Sequence, residues 1–437
     1  MRIAIVGSGI GGLATAWLLH RHHEVTLFEA EPRPGGHSHT VDVHLDGRSI
    51  PVDTGFIVYN EPTYPNLTRL FAALGVPTQW SDMSFAASLE DGGFEYAGHS
   101  LGGLLGQPAN LLRPRFLGLL RDIPRFNRAA RRFLARTPED GCSLATFLAR
   151  ARLGRELVRG YLVPMAAAIW SAPPASILEV PARSLLRFFA NHQLLGVFGH
   201  HRWRTVSGGS RRYVAAMTAP LRGRLRLGAT VVGVRRDPAG VQVRIAHQGS
   251  ERFDRVVLAC HADQALALLE DADALERSIL GSFRFQPNRA VLHRDPALMP
   301  RRRRCWASWN YVAPADRPDD APASVTYWMN RLQGLDPAVP LFVSLNPARE
   351  PRPDLVHGRF DYAHPILDAA ALDAQARMPR IRGRGGVDYA GAWLGWGFHE
   401  DGLRSAIEAA AALGVRPPWE PAAAVPGPAR TPEARVA

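Results

Sequence analysis

Arg2-Ile3-Ala4-Ile5-Val6 runs straight into Gly7-Ser8-Gly9-Ile10-Gly11-Gly12, and this passage decides the fold. The β-branched run reads as a buried strand. Leu13, Trp17 and Leu18 then recur at helical spacing, and a second apolar run, Val25 to Phe28, ends at Glu29. Strand, glycine turn, helix, strand and acid, in that order, make a dinucleotide-binding unit. Gly7 permits the tight turn, Gly9 lets the backbone approach a pyrophosphate, and Gly12 lets the helix pack against the strand. Ser8, Ile10 and Gly11 fill the turn where the helix begins, and its unpaired N–H groups and partial positive charge face the phosphates. Glu29 is placed to accept hydrogen bonds from a ribose diol.

Outward from this unit, Ala30 leads into Glu31-Pro32-Arg33-Pro34-Gly35-Gly36-His37-Ser38-His39-Thr40. The Gly35-Gly36 pair offers a second stretch of bare backbone to the phosphates, and Arg33 beside it can pair with their charge. Val52-Asp53-Thr54-Gly55-Phe56 follows as a strand and turn. Here the chain resembles the flavin amine oxidase and phytoene desaturase superfamily, which carries the same R-x-G-G doublet and a D-x-G element just downstream. The resemblance implies FAD as cofactor, with Gly55, Phe56 and His37 near its pyrophosphate or flavin.

Two further segments extend the likeness. Leu227 to Val234, a turn at Gly240, Val241 to Ile245 and Phe253 to Cys260 read as the returning part of an FAD domain. By the resemblance, backbone at Val231 lies against the adenine. Val387 to Leu403 precedes an alanine-rich helix and resembles the closing motif of the superfamily, which implies cofactor contacts from Gly391, Glu400, Asp401, Gly402 and Leu403. A helix starting near Asp401 aims its positive end at the flavin, where it would stabilise negative charge. Trp203 to Ser210, Trp309-Asn310-Tyr311 and Tyr327 to Gln333 resemble a bacterial amine-oxidase-like group with a member that desaturates methyl-branched acyl chains of membrane lipids.

The expected architecture is α/β: a Rossmann-like FAD-binding domain, a parallel sheet with helices, interleaved with an α+β substrate domain. The FAD domain would take 1–75, 205–265 and 380–415. The substrate domain would take 76–204, mostly helical, and 266–379, with Trp306 to Val312, Ser324 to Met329 and Leu341 to Leu345 as antiparallel strands over the flavin. Residues 416–437, rich in Pro and Ala, read as a loose tail. Trp393, Trp396, Phe398, Tyr327 and Trp328 are candidates for the pocket wall, and no residue stands out as an acid or base.

Composition narrows the chemistry. A chain of 437 residues holds two domains, and Met1 leads directly into the first strand, so a cytoplasmic location without a leader is expected. Cys142, Cys260 and Cys305 lack metal or redox spacing and none falls in the closing motif, so the FAD is expected to be non-covalent and no metal is expected. A second dinucleotide unit is missing, which argues against a nicotinamide domain. Net charge is +12 and all 52 cations are arginine, for the sequence contains no lysine. Flavin amine oxidases of the resembled superfamily place a lysine near flavin N5 through a water, and arginine does not replace it as a base.

The arginines are also unevenly placed. Leu111 to Arg136 and Arg183 to Arg204 interleave them with Leu and Phe, as a basic amphipathic segment on an anionic membrane would. Pro114 and Pro124 are expected to break the first stretch into short pieces. Arg301 to Arg304 invites a nucleic-acid reading, but its setting between a Pro-bounded loop and a core strand favours a phosphate-rich membrane, and no nucleic-acid partner is expected. The expected activity is hydride transfer from a C–H bond of an apolar substrate, a membrane-lipid acyl chain, to flavin N5. The alternative is oxidation of a small or hydrophobic amine. Electrons would pass to oxygen or a membrane carrier, with the protein cytoplasmic or peripheral on the inner membrane face.

Overall fold

The computed structural model describes residues 1–136, 141–170, 174–196, 199–316, 318 and 321–420. Its first layer is a five-stranded parallel sheet in the order Leu225–Arg226, Glu24–Phe28, Arg2–Val6, Arg255–Leu258, Val387–Tyr389. Strands far apart in sequence thus lie side by side, with Ile5 opposite both Leu27 and Val257. Parallel strands are covered on both faces, which is why these runs are almost continuously apolar. Alternation along Arg2–Val6 divides the work. Ile3 and Ile5 pack with Leu13 of helix Ile10–Leu19 and Leu403 and Ala406 of helix His399–Ala412. Ala4 and Val6 pack on the other face with Val234 and Val243 of an antiparallel three-stranded sheet and with Ile279.

The second layer is a seven-stranded sheet in the order Val356–Ile366, Arg284–His293, Phe342–Leu345, Val325–Trp328, Trp309–Ala313, Phe85–Leu89, Phe94–Ala97. Its pairs are antiparallel except Trp309–Ala313 with Phe85–Leu89. Helices Pro114–Leu134, Leu144–Arg150, Val163–Trp170 and Ala182–Asn191 form a lobe beside Phe94–Ala97 and Trp309–Ala313, sharing a core of Phe94, Tyr96, Phe116, Phe126, Leu185 and Phe189. The chain is therefore a two-domain α/β protein.

Two expectations change here. Pro114 and Pro124 do not divide their stretch: Pro114–Leu134 is one helix. Pro114 occupies the first turn, where a missing N–H costs nothing. Pro124 costs about 3 kcal/mol in a free helix, and burial of Phe116 and Leu119 before it and Phe126 and Ala130 after it offsets that cost. The basic stretches also turn their apolar side chains inward. Phe116, Leu119, Phe126, Leu185, Leu186, Phe188 and Phe189 are all buried, while Leu111, Leu112 and Leu117 at the head of the first stretch stay exposed. Val197 and Phe198 lie outside the described residues, as does 421–437 of the expected tail; Trp419 ahead of it stacks on Trp17, ring centroids 6.3 Å apart. No helix among the described residues is long and apolar enough to cross a membrane.

Candidate cofactor and substrate site

Four glycine-containing turns converge at the start of helix Ile10–Leu19. Gly7 has φ +100°, which only glycine adopts without strain. A Cβ on Gly12 would stand 1.8 Å from the Gly7 carbonyl oxygen, so this glycine sets how closely helix meets strand. A Cβ on Gly9 would meet nothing within 4 Å, leaving bare backbone beside the first N–H groups of the helix. The Gly35-Gly36 turn closes over this edge: Gly35 N–H donates to the Ser8 carbonyl (3.0 Å), and a Cβ on Gly36 would lie 3.1 Å from Gly9 Cα. Arg33 is tied to the same turn through its guanidinium and the Gly36 carbonyl (2.9 Å). Gly55 packs on His37, whose carbonyl accepts the Phe56 N–H (2.8 Å). Gly11 faces the Gly391 backbone and Gly402 faces Ile10, so the closing motif completes the ring.

At the end of strand Glu24–Phe28, the Glu29 carboxylate accepts from the Ser8 N–H (2.8 Å), the Ser8 hydroxyl and the Glu31 N–H (2.9 Å). Its backbone carbonyl accepts from Ala229 N–H (2.8 Å), which brings the segment leading to Val231 alongside. Ala30 follows Glu29 at the surface. His37 is enclosed by Tyr362, His364 and His261, with centroids 4.9, 5.3 and 6.4 Å away. Burial, with His364, His261, His399 and Arg33 adding to it, holds its pKa well below 6.5. Its Nε2 is buried with no hydrogen-bond partner among the described residues. Cys260 lies beside Gly7 with its thiol pushed up to about 12 by burial, which keeps it protonated.

The closing helix uses its acids as caps. Asp401 accepts the N–H groups of Trp396 (3.0 Å) and Phe398 (3.1 Å) and pairs with Arg404. The Glu400 carboxylate turns away to the start of helix Pro65–Leu74, where it accepts from Asn66 N–H (3.1 Å) and Leu67 N–H (3.0 Å). Leu403 is fully buried in the core. Among these residues the backbone at the helix start remains for a ligand. His399, on the first turn, stacks on Phe56 (3.7 Å) and lies 2.9 Å from Ser38 Oγ and 3.0 Å from Tyr213 OH through Nε2. Burial pushes its pKa down to about 3, so the ring is neutral.

Beyond this helix start lies an aromatic cluster. Trp396 and Phe398 meet Phe188 at 5.9 and 5.3 Å, and Trp170 lies 4.6 Å from Phe188. His192 stacks on Phe188 (4.0 Å) with Nδ1 3.0 Å from that residue's carbonyl oxygen. Trp309 and Tyr327, 5.1 Å apart, belong to the same cluster. The indole N–H groups of Trp170 and Trp309 are buried with no acceptor among the described residues. Burial alone raises the Tyr327 hydroxyl, with no charged group contributing. Two pocket candidates lie elsewhere. Trp393 donates to the Cys260 carbonyl (3.0 Å) and packs on Phe283, while Trp328 packs on Trp306. Neighbours on a strand face opposite sides, so Tyr327 and Trp328 cannot share one wall. Sequence reasoning missed Ser38, Tyr213 and Tyr362, and read Phe188 only as part of a basic stretch; the four-residue spacing of Phe188 and His192 marks one helix face and was the available signal.

A bare-backbone cradle at a helix N-terminus, an acid at the next strand end, an adjacent arginine and an unpartnered imidazole nitrogen together fit FAD. Comparison with known proteins agrees. A profile of the family described as flavin containing amine oxidoreductase matches residues 10–284. Cyclohexylamine oxidase from Brevibacterium oxydans IH-35A superposes with TM-score 0.68 at 19% identity, covering 94% of this chain and 98% of that one. The CLA-producing fatty acid isomerase from P. acnes superposes with TM-score 0.66 at 16% identity, over 94% and 98%. The carotenoid phi-ring synthase of Chlorobaculum tepidum is 36% identical over 88 residues, 20% of this chain and 13% of that protein. The chain belongs to the flavin containing amine oxidoreductase family and is an FAD-dependent oxidoreductase.

Proposed function

We propose that the enzyme oxidises a C–H bond in an acyl-lipid-class substrate, an apolar chain that carries an oxygen acceptor, rather than an amine. The observation behind this reading is the polarity of the aromatic cluster. Its buried Trp170 and Trp309 N–H groups are donors with no acceptor among the described residues. No acid contributes to the pKa shifts of Tyr327, Tyr161 or His192, whose causes are burial and, for His192, the Phe188 carbonyl and His201. An ammonium group brings only donors, and burying one without a carboxylate is costly. An ester or carboxyl oxygen would satisfy the indoles, and the rings of Trp396, Phe398 and Phe188 would hold the chain dry. The likeness to a fatty acid isomerase is compatible with this reading, and that to cyclohexylamine oxidase shows that the fold serves both.

When bound, FAD supplies the two-electron acceptor that C–H oxidation requires. Gly9, Arg33, Gly35, Gly36, His37 and the start of helix His399–Ala412 would hold it, with Glu29 and the backbone near Val231 at the adenosine end. Making a C=C bond also releases a proton. With Nδ1–H donating to the Phe188 carbonyl, His192 has Nε2 unprotonated, and we assign that nitrogen to take the proton. His399 is too weak a base for the task.

Anaerobic loss of the flavin's visible absorbance tests the reading. Bleaching by phospholipid dispersed in detergent and not by a panel of amines is expected. Bleaching by an amine alone would overturn it.

A further inference from the structure

The helical lobe leaves an apolar surface that no described residue covers. Leu101 and Leu112 are 77% and 87% exposed, and Leu105, Leu111 and Leu117 are exposed as well. All five fall between strand Phe94–Ala97 and the first turn of helix Pro114–Leu134. Buried anchors hold this segment in shape. Asn110 Nδ2 donates to the Glu95 carbonyl (2.9 Å), the Ser100 hydroxyl caps helix Leu101–Leu104 through Gly103 N–H (3.0 Å), and the Arg113 guanidinium bonds the Gly93 carbonyl.

The arginine run Arg301 to Arg304 lies against the same segment. A Cβ on Gly106 would stand 2.5 Å from Cys305 Sγ, and the fully buried Glu95 accepts the N–H groups of Arg301 (2.7 Å) and Arg302 (3.1 Å) and pairs with the Arg302 guanidinium (2.9 Å). Glu95 thereby absorbs one cation. Arg301, Arg303 and Arg304 remain exposed, and no acid among the described residues pairs with them. Leu117 continues outward along its helix into exposed Arg121, Arg125, Arg128 and Arg132; the buried Asp122 pairs with Arg121 (3.0 Å) and Arg125 (2.7 Å), and no acid among the described residues pairs with Arg128 or Arg132.

We propose that this face docks on an anionic lipid bilayer, with the five leucines entering below the headgroups and the arginines pairing with lipid phosphates. Leucines rimmed by unpaired guanidinium groups match that interface on both counts. A second copy of the chain fits poorly, because a two-fold contact sets a patch against itself and brings the uncompensated arginines together. A nucleic acid would leave the leucines in water. The face and the aromatic cluster belong to one lobe, since Phe116 and Leu119 share a core with Leu185 and Phe189. Use of this face to collect substrate rests on the acyl-lipid reading above.

The test is co-sedimentation of the flavin-loaded protein with phosphatidylglycerol or phosphatidylcholine vesicles. The variants are Leu111→Ser with Leu112→Ser, and Arg301→Ser with Arg304→Ser, their folds checked by thermal melting. The protein should pellet with phosphatidylglycerol and roughly tenfold less with phosphatidylcholine, and each pair should weaken binding by about tenfold. Flavin bleaching by detergent-dispersed phospholipid should not change in either pair. No vesicle binding, or binding indifferent to the leucine pair, overturns docking, even if dispersed lipid still bleaches the flavin and the acyl reading survives. A wild-type dimer that the leucine pair converts to monomer also overturns it, in favour of a second copy. Leucine-dependent binding without bleaching by any lipid supports docking and removes the acyl reading.

Discussion

Gly9 and Gly12 carry different tasks in one turn, and one methyl group added to each should separate cofactor binding from folding. On Gly12 the new carbon would stand 1.8 Å from the Gly7 carbonyl oxygen and 2.9 Å from its carbon, both backbone atoms with no side chain to swing aside. Gly12→Ala should therefore cost more than about 4 kcal/mol, the range of severe core disruption. On Gly9 the new carbon meets nothing within 4 Å, and its φ of −63° is open to any L-residue. Gly9→Ala should leave the apoprotein as stable as before, or up to about 1 kcal/mol more stable through a less free unfolded chain. The methyl group instead takes the space a phosphate needs. Losing one or two charge-assisted bonds at about 1.5–3 kcal/mol each puts the loss near 3 kcal/mol. That is roughly a hundredfold rise in the Kd for FAD. Urea unfolding of the apoproteins and FAD titration by flavin fluorescence measure the two effects separately. Wild-type FAD affinity in Gly9→Ala, or a loss of apoprotein stability matching that of Gly12→Ala, would refute the division of labour.

Two further outcomes concern histidines. His192→Phe keeps the stacking on Phe188 and removes the proton acceptor, so lipid-driven flavin reduction should slow by roughly 10²–10⁴-fold. In the wild type that rate should fall as pH drops below a His192 pKa that burial places under 6.5, and the variant should lack this limb. His293 is fully buried, accepts the Asp295 N–H at Nδ1 (3.0 Å) and lies 2.8 Å from Ser344 Oγ, and burial lowers its pKa to about 4. A depressed folded pKa contributes stability above 6.5 that is lost as pH falls toward 4, roughly 3 kcal/mol for this ring. Chemical unfolding across that window should show the loss in the wild type and a shallower one in His293→Gln.

Much of the cofactor side was legible because its signals are local. Gly7, Gly9 and Gly12 need no partner to be read, for each answers a demand of one strand-turn-helix crossing. Arg33 with the Gly35-Gly36 pair is likewise a short-range pattern. Glu400 shows where such reading stops. Its place in the closing motif implied a cofactor contact, yet its carboxylate caps helix Pro65–Leu74, a partner 333 residues away for Leu67. Trp393 and Trp328 show the same limit. Aromatic residues beside a motif all look suited to a pocket, and only packing tells which ones face it.

The basic stretches make the point most fully. Their Leu and Phe content read as lipid-facing, but helix Pro114–Leu134 and helix Ala182–Asn191 bury those side chains in a shared core. Of the leucines left outside, Leu111, Leu112 and Leu117 head the first basic stretch, whereas Leu101 and Leu105 lie on and just after a four-residue helix that the sequence did not single out. The sequence by itself determined the dinucleotide unit, the family and the cofactor, because glycine geometry and helix N-termini act within a few residues. Only the tertiary structure decided which aromatic rings pack together, which acids are spent as caps and which apolar surface stays open, because burial depends on what the rest of the chain brings against a residue.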